Sequence, residues 1–280
     1  MNYRHAFHAG NFADVFKHAL LCRVLFYLMQ KDAPLRYLDT HAGAGLYDIA
    51  GEAANRTGEW KEGVGLVAGA EMPERVRELL APWMTVAGIG ESLPETYPGS
   101  PVIAQRLLRE KDRLTLCELH EADARSLARA IARDRRVNIV RRDGYEALVA
   151  WAPPPERRGL ALVDPPFEAP DEFPRLAKAL ETAWRKWATG VYMAWYPRKD
   201  LAAVERFYKQ LVASGIRRML AIEFDVATPV KDGRLSGNGL IVINPPFTLE
   251  GEARELLAWL AMRLARGRGA NWRIDWLAGE

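Results

Sequence analysis

The stretch LRYLDTHAGAG, residues 35–45, decides the fold class. It begins as a short strand that ends at Asp39 and passes directly into a turn containing Gly43 and Gly45. This order is typical of a ligand-binding loop at the carboxyl end of a parallel strand, because glycines let the backbone approach a ligand closely. Gly45 is followed by LYD, so the full Gly-x-Gly-x-x-Gly pattern is absent, which disfavours a nicotinamide dehydrogenase.

The chain around this stretch alternates strand and helix patterns. Six further strands are predicted at residues 113–118, 137–141, 160–163, 190–195, 218–224 and 239–244. Helical patterns at 121–133, 173–187 and 201–214 separate most of them, which is the βαβ alternation of a doubly wound sheet. Only a polar loop, 228–237, separates the last two strands, which predicts an antiparallel hairpin at the sheet edge. We therefore expect an α/β fold with a seven-stranded, mostly parallel sheet, preceded by a helix capped by Asn11.

One interval is too long for this alternation. The first two strands end at residues 39 and 118, 79 residues apart, whereas a βαβ unit needs only about 30. We predict that residues 50–99 form a small, mostly helical subdomain, inserted into a main domain made of residues 1–49 and 100–280.

Composition limits the class of protein. The chain has 280 residues, of which 49% are hydrophobic and 27% charged, as expected of a globular protein. Its longest apolar stretch, residues 19–29, is 11 residues long and contains Arg23, whereas a bilayer span needs about 20. Polar residues near the start leave no room for a secretory signal, and the two cysteines favour buried thiols, so a cytoplasmic protein is expected. The net charge of +3 permits a nucleic-acid partner without requiring one.

The run LALVDPPF, residues 160–167, carries the most specific chemistry. A buried strand delivers Asp164, two prolines and Phe167 to its carboxyl end. Asp164 and the carbonyl of Pro165 can accept the two hydrogens of an exocyclic amine, directing its lone pair at a methyl donor, while Phe167 stacks on the extruded base. The alternative is a simple turn that ends the strand. A similar run, NPPF at 244–247, follows the seventh strand and should face the opposite edge.

Two more acids follow neighbouring strands. Glu118 is placed where such folds bind ribose hydroxyls, and Asp143-Gly144 where they bind the adenine amine of a cofactor. A solvated strand-end acid and an Asp-Gly turn are the structural alternatives. His18 and His41 are candidates for polar cofactor or RNA contacts, and no His or Cys spacing supports a metal site. The aromatic and cationic residues 3–8 suit contacts with bases and phosphates, or an ordinary N-terminal arm.

Five motifs together resemble one family. They are YRHAFHAGN at 3–11, YLDTHAGAG at 37–45, RTGE at 56–59, YPGSP at 97–101 and DPPF at 164–167. This set resembles the RlmJ family of bacterial 23S rRNA adenine-N6 methyltransferases, nearly from end to end. The resemblance implies a Rossmann-like methyltransferase fold with an inserted helical subdomain. It also implies transfer of one methyl group from S-adenosylmethionine to N6 of adenine 2030.

The resemblance also assigns residues. It places His18, His41, Ser100, Glu118, Asp143, Gly144 and Asp164 around the cofactor, with Asp164 as the catalytic acceptor and with Tyr3 and Lys17 near the target base. Many relatives have tyrosine at the position of Phe167, so stacking is retained here but a phenol hydrogen bond is not. The expected partner is 23S rRNA, protein-free or in an early assembly intermediate, bound by a monomer without a protein partner.

Two alternatives use the same sequence features. A DNA adenine-N6 methyltransferase has the same site chemistry, but residues 50–99 are the only segment available for reading a DNA sequence. A non-catalytic RNA-binding or ribosome-assembly protein on this scaffold is the other alternative, which the intact Asp164 motif disfavours.

Overall fold

A computed structural model describes residues 5–228 and 234–279. Within these residues the chain forms an eight-stranded sheet and a separate two-stranded sheet. The strands are β1 Arg36–Asp39, β2 Leu46–Asp48, β3 Thr96–Pro98, β4 Arg113–Cys117, β5 Val137–Val140, β6 Gly159–Val163, β7 Val191–Pro197, β8 Met219–Asp225, β9 Gly237–Ile243 and β10 Asn271–Ala278.

The main sheet has the order β10-β8-β9-β7-β6-β1-β4-β5. Strands β5, β4, β1, β6 and β7 are parallel neighbours, so their carboxyl ends lie at one edge. Strand β9 runs antiparallel between β7 and β8. The predicted α/β fold class with an antiparallel part is confirmed.

Two details of the predicted sheet are wrong. The main sheet has eight strands rather than seven, because β10 pairs antiparallel with β8. The two strands predicted as an edge hairpin are therefore internal, since β10 covers β8 and β9 pairs with β7. Strand β10 was missed although Trp272, Ile274 and Trp276 alternate with polar residues, which is the pattern typical of a strand with one buried face.

Helices cover both faces of the sheet. They are α1 Phe12–Met29, α2 Glu52–Thr57, α3 Val64–Val67, α4 Glu74–Ala87, α5 Ser100–Leu107, α6 Glu121–Ile131, α7 Gly144–Trp151, α8 Glu172–Lys186, α9 Leu201–Ala213 and α10 Leu249–Arg263, with 3-10 turns at His5–Phe7 and Glu59–Glu62. Along β6, Leu160 and Leu162 join the core under α1, α4, α5 and α10, and Ala161 and Val163 join the core under α7, α8 and α9. This alternation buries β6 on both faces, as expected of a central parallel strand.

Helix α1 is buried against the sheet, α4, α5 and α10, and it supplies residues to the site described below. The predicted cap is confirmed, since the Asn11 side chain accepts hydrogen bonds from the amides of Ala13 and Asp14 at 3.0 and 3.1 Å. No helix of the described residues is long and apolar enough to span a membrane.

The long interval after β1 contains α2, α3 and α4. Its two ends are joined by the antiparallel pair β2 and β3, in which Tyr47 lies opposite Tyr97. Helix α4 packs on α1 and α10 of the main domain. The division at residues 50 and 99 into a separate subdomain stays a prediction.

Candidate active site

The carboxyl ends of the parallel strands open onto a cavity of about 840 Å³. The predicted site residues among its lining are Lys17, His18, His41, Ser100, Glu118, Asp143, Gly144, Asp164, Pro165 and Phe167. The fold thus brings together every predicted site residue except Tyr3, which lies outside the described residues.

Asp39, at the end of β1, is fully buried and organises the floor of the cavity. Its Oδ2 accepts hydrogen bonds from the hydroxyls of Tyr37 and Ser100 at 2.8 and 2.7 Å. Burial raises the pKa of Asp39 to about 6, and these two hydrogen bonds oppose part of that rise. Ser100 therefore donates its hydroxyl proton to the protein, which leaves only its oxygen lone pairs for a ligand.

Glu118, just after β4, joins two loops of the cavity. Its Oε2 accepts from the amide of Gly43 at 2.8 Å and its Oε1 from the amide of His120 at 2.7 Å. Burial raises the pKa of this carboxyl group. Each oxygen keeps a further acceptor position, so Glu118 can hold a pair of ribose hydroxyls while fixing the glycine turn.

Asp143 caps helix α7. Its Oδ1 accepts from the amides of Tyr145 and Glu146 at 3.0 and 3.1 Å, and its Oδ2 lies 3.4 Å from the guanidinium of Arg175. The predicted alternative was an Asp-Gly turn, whereas the structure shows a helix cap, and Asp143 also lines the cavity. One carboxylate can serve both purposes because its two oxygens point to different partners.

His41 is held in a neutral state. Its Nδ1 lies 2.8 Å from the hydroxyl of Thr40, and its ring packs edge-on against Tyr145 at 5.4 Å. Burial lowers the pKa of His41 to about 4, although Asp164 and Asp143 oppose the change. A neutral imidazole adds no charge to repel a sulfonium group.

Gly144 packs closely against the backbone of Thr40 and the ring of His41 at the cavity wall. A Cβ atom at this position would lie 2.3 Å from the carbonyl oxygen of Thr40 and 2.7 Å from the ring of His41. We expect Gly144→Ala to displace the loop after β1 and to weaken binding of S-adenosylhomocysteine at least about tenfold, which is about 1.4 kcal/mol. Isothermal titration calorimetry would measure this. Gly251→Ala is the control, since nothing lies within 4 Å of that added atom, and equal affinities for both variants would contradict the prediction.

Lys17 of α1 connects two carboxylates at the centre of the cavity. Its Nζ lies 2.5 Å from Oδ2 of Asp164 and 3.1 Å from Oδ1 of Asp14. Burial lowers the pKa of Lys17, but the two carboxylates outweigh burial and hold that pKa above its usual value. Asp14 also accepts from His5 Nε2 at 3.0 Å and from the amide of Gly10 at 2.9 Å. Lys17 therefore stays cationic and fixes Asp164 in place.

His18 lies behind this ion pair. The residue is 1% exposed, and its Nδ1 is 2.7 Å from the hydroxyl of Tyr97. Burial lowers the pKa of His18 to about 3, with Asp14 opposing the change and Lys17 adding to it. In this structure its nearest partners are protein groups, and it still lines the cavity.

The buried His18 predicts a dependence of stability on pH. The unfolded state takes up the imidazole proton near pH 6.5 and the folded state only near pH 3, so stability is full above pH 6.5 and falls as the pH drops below it. Between pH 7 and pH 5 the free energy of unfolding of the unmodified protein should fall by about 2 kcal/mol more than that of His18→Gln, which has no imidazole to protonate. Urea titrations at both pH values would measure this, and identical differences would contradict it. The raised pKa of Asp39 makes stability rise as the pH falls, but Asp39 is present in both proteins, so its effect cancels in the comparison.

Phe167 is held in an unusual backbone conformation. Its φ is 51°, in the left-handed region that costs a residue with a side chain about 1–2 kcal/mol. Its ring packs edge-on against Phe173 at 4.8 Å and Trp195 at 5.9 Å. These contacts direct the Asp-Pro-Pro-Phe turn into the cavity, and such strain is common where a turn presents functional groups.

The structure adds residues that sequence reasoning missed. Trp195 lines the cavity between Phe167 and Lys17, whose Nζ is 6.0 Å from its ring, and its indole nitrogen donates to Asn238 at 2.9 Å. Asp14 is the second. The available signal for Asp14 was its spacing of three residues from Lys17 on one helix.

The second proline motif lies elsewhere. The Asn244 side chain donates to the carbonyl oxygens of Ala188 and Gly190 at 2.7 and 2.8 Å, just before β7 begins. Phe247 is 81% exposed and contacts Tyr27. This motif is therefore at the opposite edge of the sheet from Asp164, and its amide is used within the protein.

A family model and two curated relatives identify one family. The family model described as "Ribosomal RNA large subunit methyltransferase D, RlmJ" matches residues 32–278. Two proteins named "Ribosomal RNA large subunit methyltransferase J" match over the full length of both chains, one from Haemophilus influenzae at 38% identity and one from Escherichia coli at 39%. A crystal structure of a Legionella pneumophila protein superposes with a TM-score of 0.86 at 35% identity, covering 96% of this chain and 98% of that one.

Proposed function

The chain belongs to the RlmJ family of ribosomal RNA large subunit methyltransferases, and from this premise we propose that it methylates N6 of adenine 2030 in 23S rRNA. Its cofactor is S-adenosylmethionine. The observation that carries the proposal is the position of Asp164, which directly follows β6 and lies beside Lys17 in a recess walled by Phe167 and Trp195. An acid and a backbone carbonyl in an aromatic recess suit an extruded base that carries an amine.

The cavity fits the proposed cofactor. Added Cβ atoms at Gly43 and Gly144 would collide with Tyr47 and Thr40, so the loops after β1 and β5 that line the cavity can pack this closely only with glycine at these positions. Glu118 offers acceptors for the two ribose hydroxyls, and Asp143 offers one for the adenine amine. His18, His41 and Ser100 complete this side of the cavity. We place the cofactor here, with its methyl group toward Asp164.

The proposed reaction uses five groups of the chain. The cofactor supplies an electrophilic methyl group on sulfur. Asp164 accepts one hydrogen of the adenine amine and the carbonyl of Pro165 accepts the other, which turns the nitrogen lone pair toward the methyl carbon. Phe167 and Trp195 hold the base, with stacking contributing about 1–3 kcal/mol per base. When the methyl group is transferred from sulfur to nitrogen, the amine would lose one proton. Asp164 would receive that proton, because Lys17 is already protonated and cannot accept it.

The experiment is transfer of a radiolabelled methyl group to protein-free 23S rRNA that lacks its modifications. Duplex DNA and an assembled large subunit are parallel substrates, and an rRNA with guanine in place of adenine 2030 tests the position. We expect label in the free rRNA only, and none in the substituted rRNA.

Each other outcome decides against part of the proposal. Label in duplex DNA alone would support a DNA adenine methyltransferase. Label in the substituted rRNA would place the target elsewhere, and label in the assembled subunit but not in free rRNA would contradict use of free rRNA or an early assembly intermediate. No label on any substrate would favour a binding role in ribosome assembly. The predicted monomer can be checked by light scattering on the same preparation.

A further inference from the structure

One side of the cavity mouth is basic. Lys199 follows β7, Arg234 precedes β9 and Arg266 lies between α10 and β10, and all three line the same cavity as Asp164. These cations and Trp195 lie at the part of the sheet edge formed by β7, β9 and β8, whereas Glu118 and Asp143 follow β4 and β5 at the other end of the parallel strands. Three separate loops therefore each bring one cation to the side where the substrate strand would lie.

Arg266 is fixed in place. Its guanidinium lies 4.9 Å over the ring of Phe12, and its Nε is 2.9 Å from a carboxylate oxygen of Glu62. Burial lowers the pKa of Arg266, Glu62 and Glu59 only partly oppose this, and Arg234 adds to it. A positive charge that its neighbours compensate incompletely is stabilised by a bound anion.

Lys199 is exposed, and its amine forms no ion pair with any residue in 5–228 or 234–279. The neighbouring Asp200 carboxylate accepts from the amides of Ala202 and Ala203 at the start of α9. Two arginines near α6 differ from Lys199 in this respect. Arg125 of α6 and Arg141, in the loop after β5, both form an ion pair with Glu121. Unlike Arg125 and Arg141, Lys199 can therefore bind a ligand without first breaking an ion pair.

We propose that Lys199, Arg234 and Arg266 form a phosphate-binding track that holds the RNA backbone next to the target adenosine. This inference rests on the proposed function, because a base seated beside Asp164 and Trp195 leaves its strand at this side of the mouth. Phosphate contacts position a nucleic acid without reading its sequence. The track would set the register of the strand, while the recess accepts the base.

The test is the salt dependence of RNA binding. A short fluorescent oligoribonucleotide with the sequence around adenine 2030 is titrated with protein saturated with S-adenosylhomocysteine, and anisotropy gives Kd at several salt concentrations. Each phosphate contact in single-stranded RNA contributes about 0.7 to the slope of log Kd against log salt. We expect Lys199→Gln and Arg266→Gln each to lower this slope by about 0.7 and to weaken binding several-fold at low salt, without changing affinity for S-adenosylhomocysteine.

The controls separate a phosphate contact from a structural role. Lys209→Gln removes an exposed cation of α9 that pairs with Glu205, and it should leave the slope unchanged. Arg266→Lys keeps the charge and should retain the slope even if the contact with Phe12 is weakened. Unchanged slopes in both glutamine variants, or an equal loss in Lys209→Gln, would overturn the track.

The binding readout also separates this proposal from the reaction. A reduced slope without any methyl transfer to rRNA would support the track and contradict the proposed function. Methyl transfer with unchanged slopes would contradict the track alone.

Discussion

Replacement of Asp164 by alanine is expected to lower the rate of methyl transfer by at least about 10³-fold, the upper part of the range for a positioned proton acceptor. The variant loses the oxygen that orients the amine and receives its proton. Lys17 keeps its second partner, Asp14, at 3.1 Å, so the cavity should stay folded. Single-turnover assays with saturating rRNA would measure the rate, and calorimetry should show the affinity for S-adenosylhomocysteine within about threefold of the unmodified protein, which is below 1 kcal/mol.

Two further variants make this result specific. Asp164→Asn keeps one oxygen but not the charge that pairs with Lys17, so its rate should fall between those of alanine and aspartate. Asn244→Ala changes the matching position of the second proline motif, where two hydrogen bonds to backbone carbonyls are lost. It should reduce stability by about 1–3 kcal/mol without reducing turnover by the folded enzyme. Full activity in Asp164→Ala would refute the assignment of Asp164.

The sequence predicts best the site residues that directly follow parallel strands. Glu118, Asp143 and Asp164 each follow a strand, and the carboxyl ends of parallel strands meet at one edge, so their proximity could be expected without any coordinates. The position of β9 between β7 and β8 could not, because the pairing partner of a strand depends on packing between distant segments. The half-exposed β10 does alternate apolar and polar residues, so its strand was predictable from the sequence, but its pairing with β8 was not.

The site residues likewise include some that the sequence predicts and others that only the packing of distant segments brings into the site. Lys17 is 147 residues from Asp164 along the chain, and only the packing of buried α1 against the sheet brings them together. Local patterns carry no information about such a contact, so Lys17 and Ser100 were indicated by resemblance alone. Trp195 and Asn238 form a hydrogen bond across neighbouring strands, which a linear pattern cannot show.

Replacement of Lys17 by methionine is expected both to destabilise the protein and to abolish methyl transfer. Methionine fills similar space but removes the cation that Asp14 and Asp164 share, and Asp14 is 1% exposed. Leaving a buried charge without its partner costs about 3–5 kcal/mol. His5 and the amide of Gly10 still contact Asp14, so the lower value, about 3 kcal/mol, is expected. Urea unfolding at neutral pH would measure it.

Stability and catalysis can then be separated. Lys209→Met removes an exposed lysine with one surface partner and should change the free energy of unfolding by less than about 1 kcal/mol. Adding Asp14→Asn to Lys17→Met removes the unpaired buried charge, so it should restore part of the stability. Turnover should remain lost, because Asp164 still lacks the cation that fixes it. If the double variant regained turnover together with stability, Lys17 would act on folding alone, and Asp164 would need no cation to orient the adenine amine.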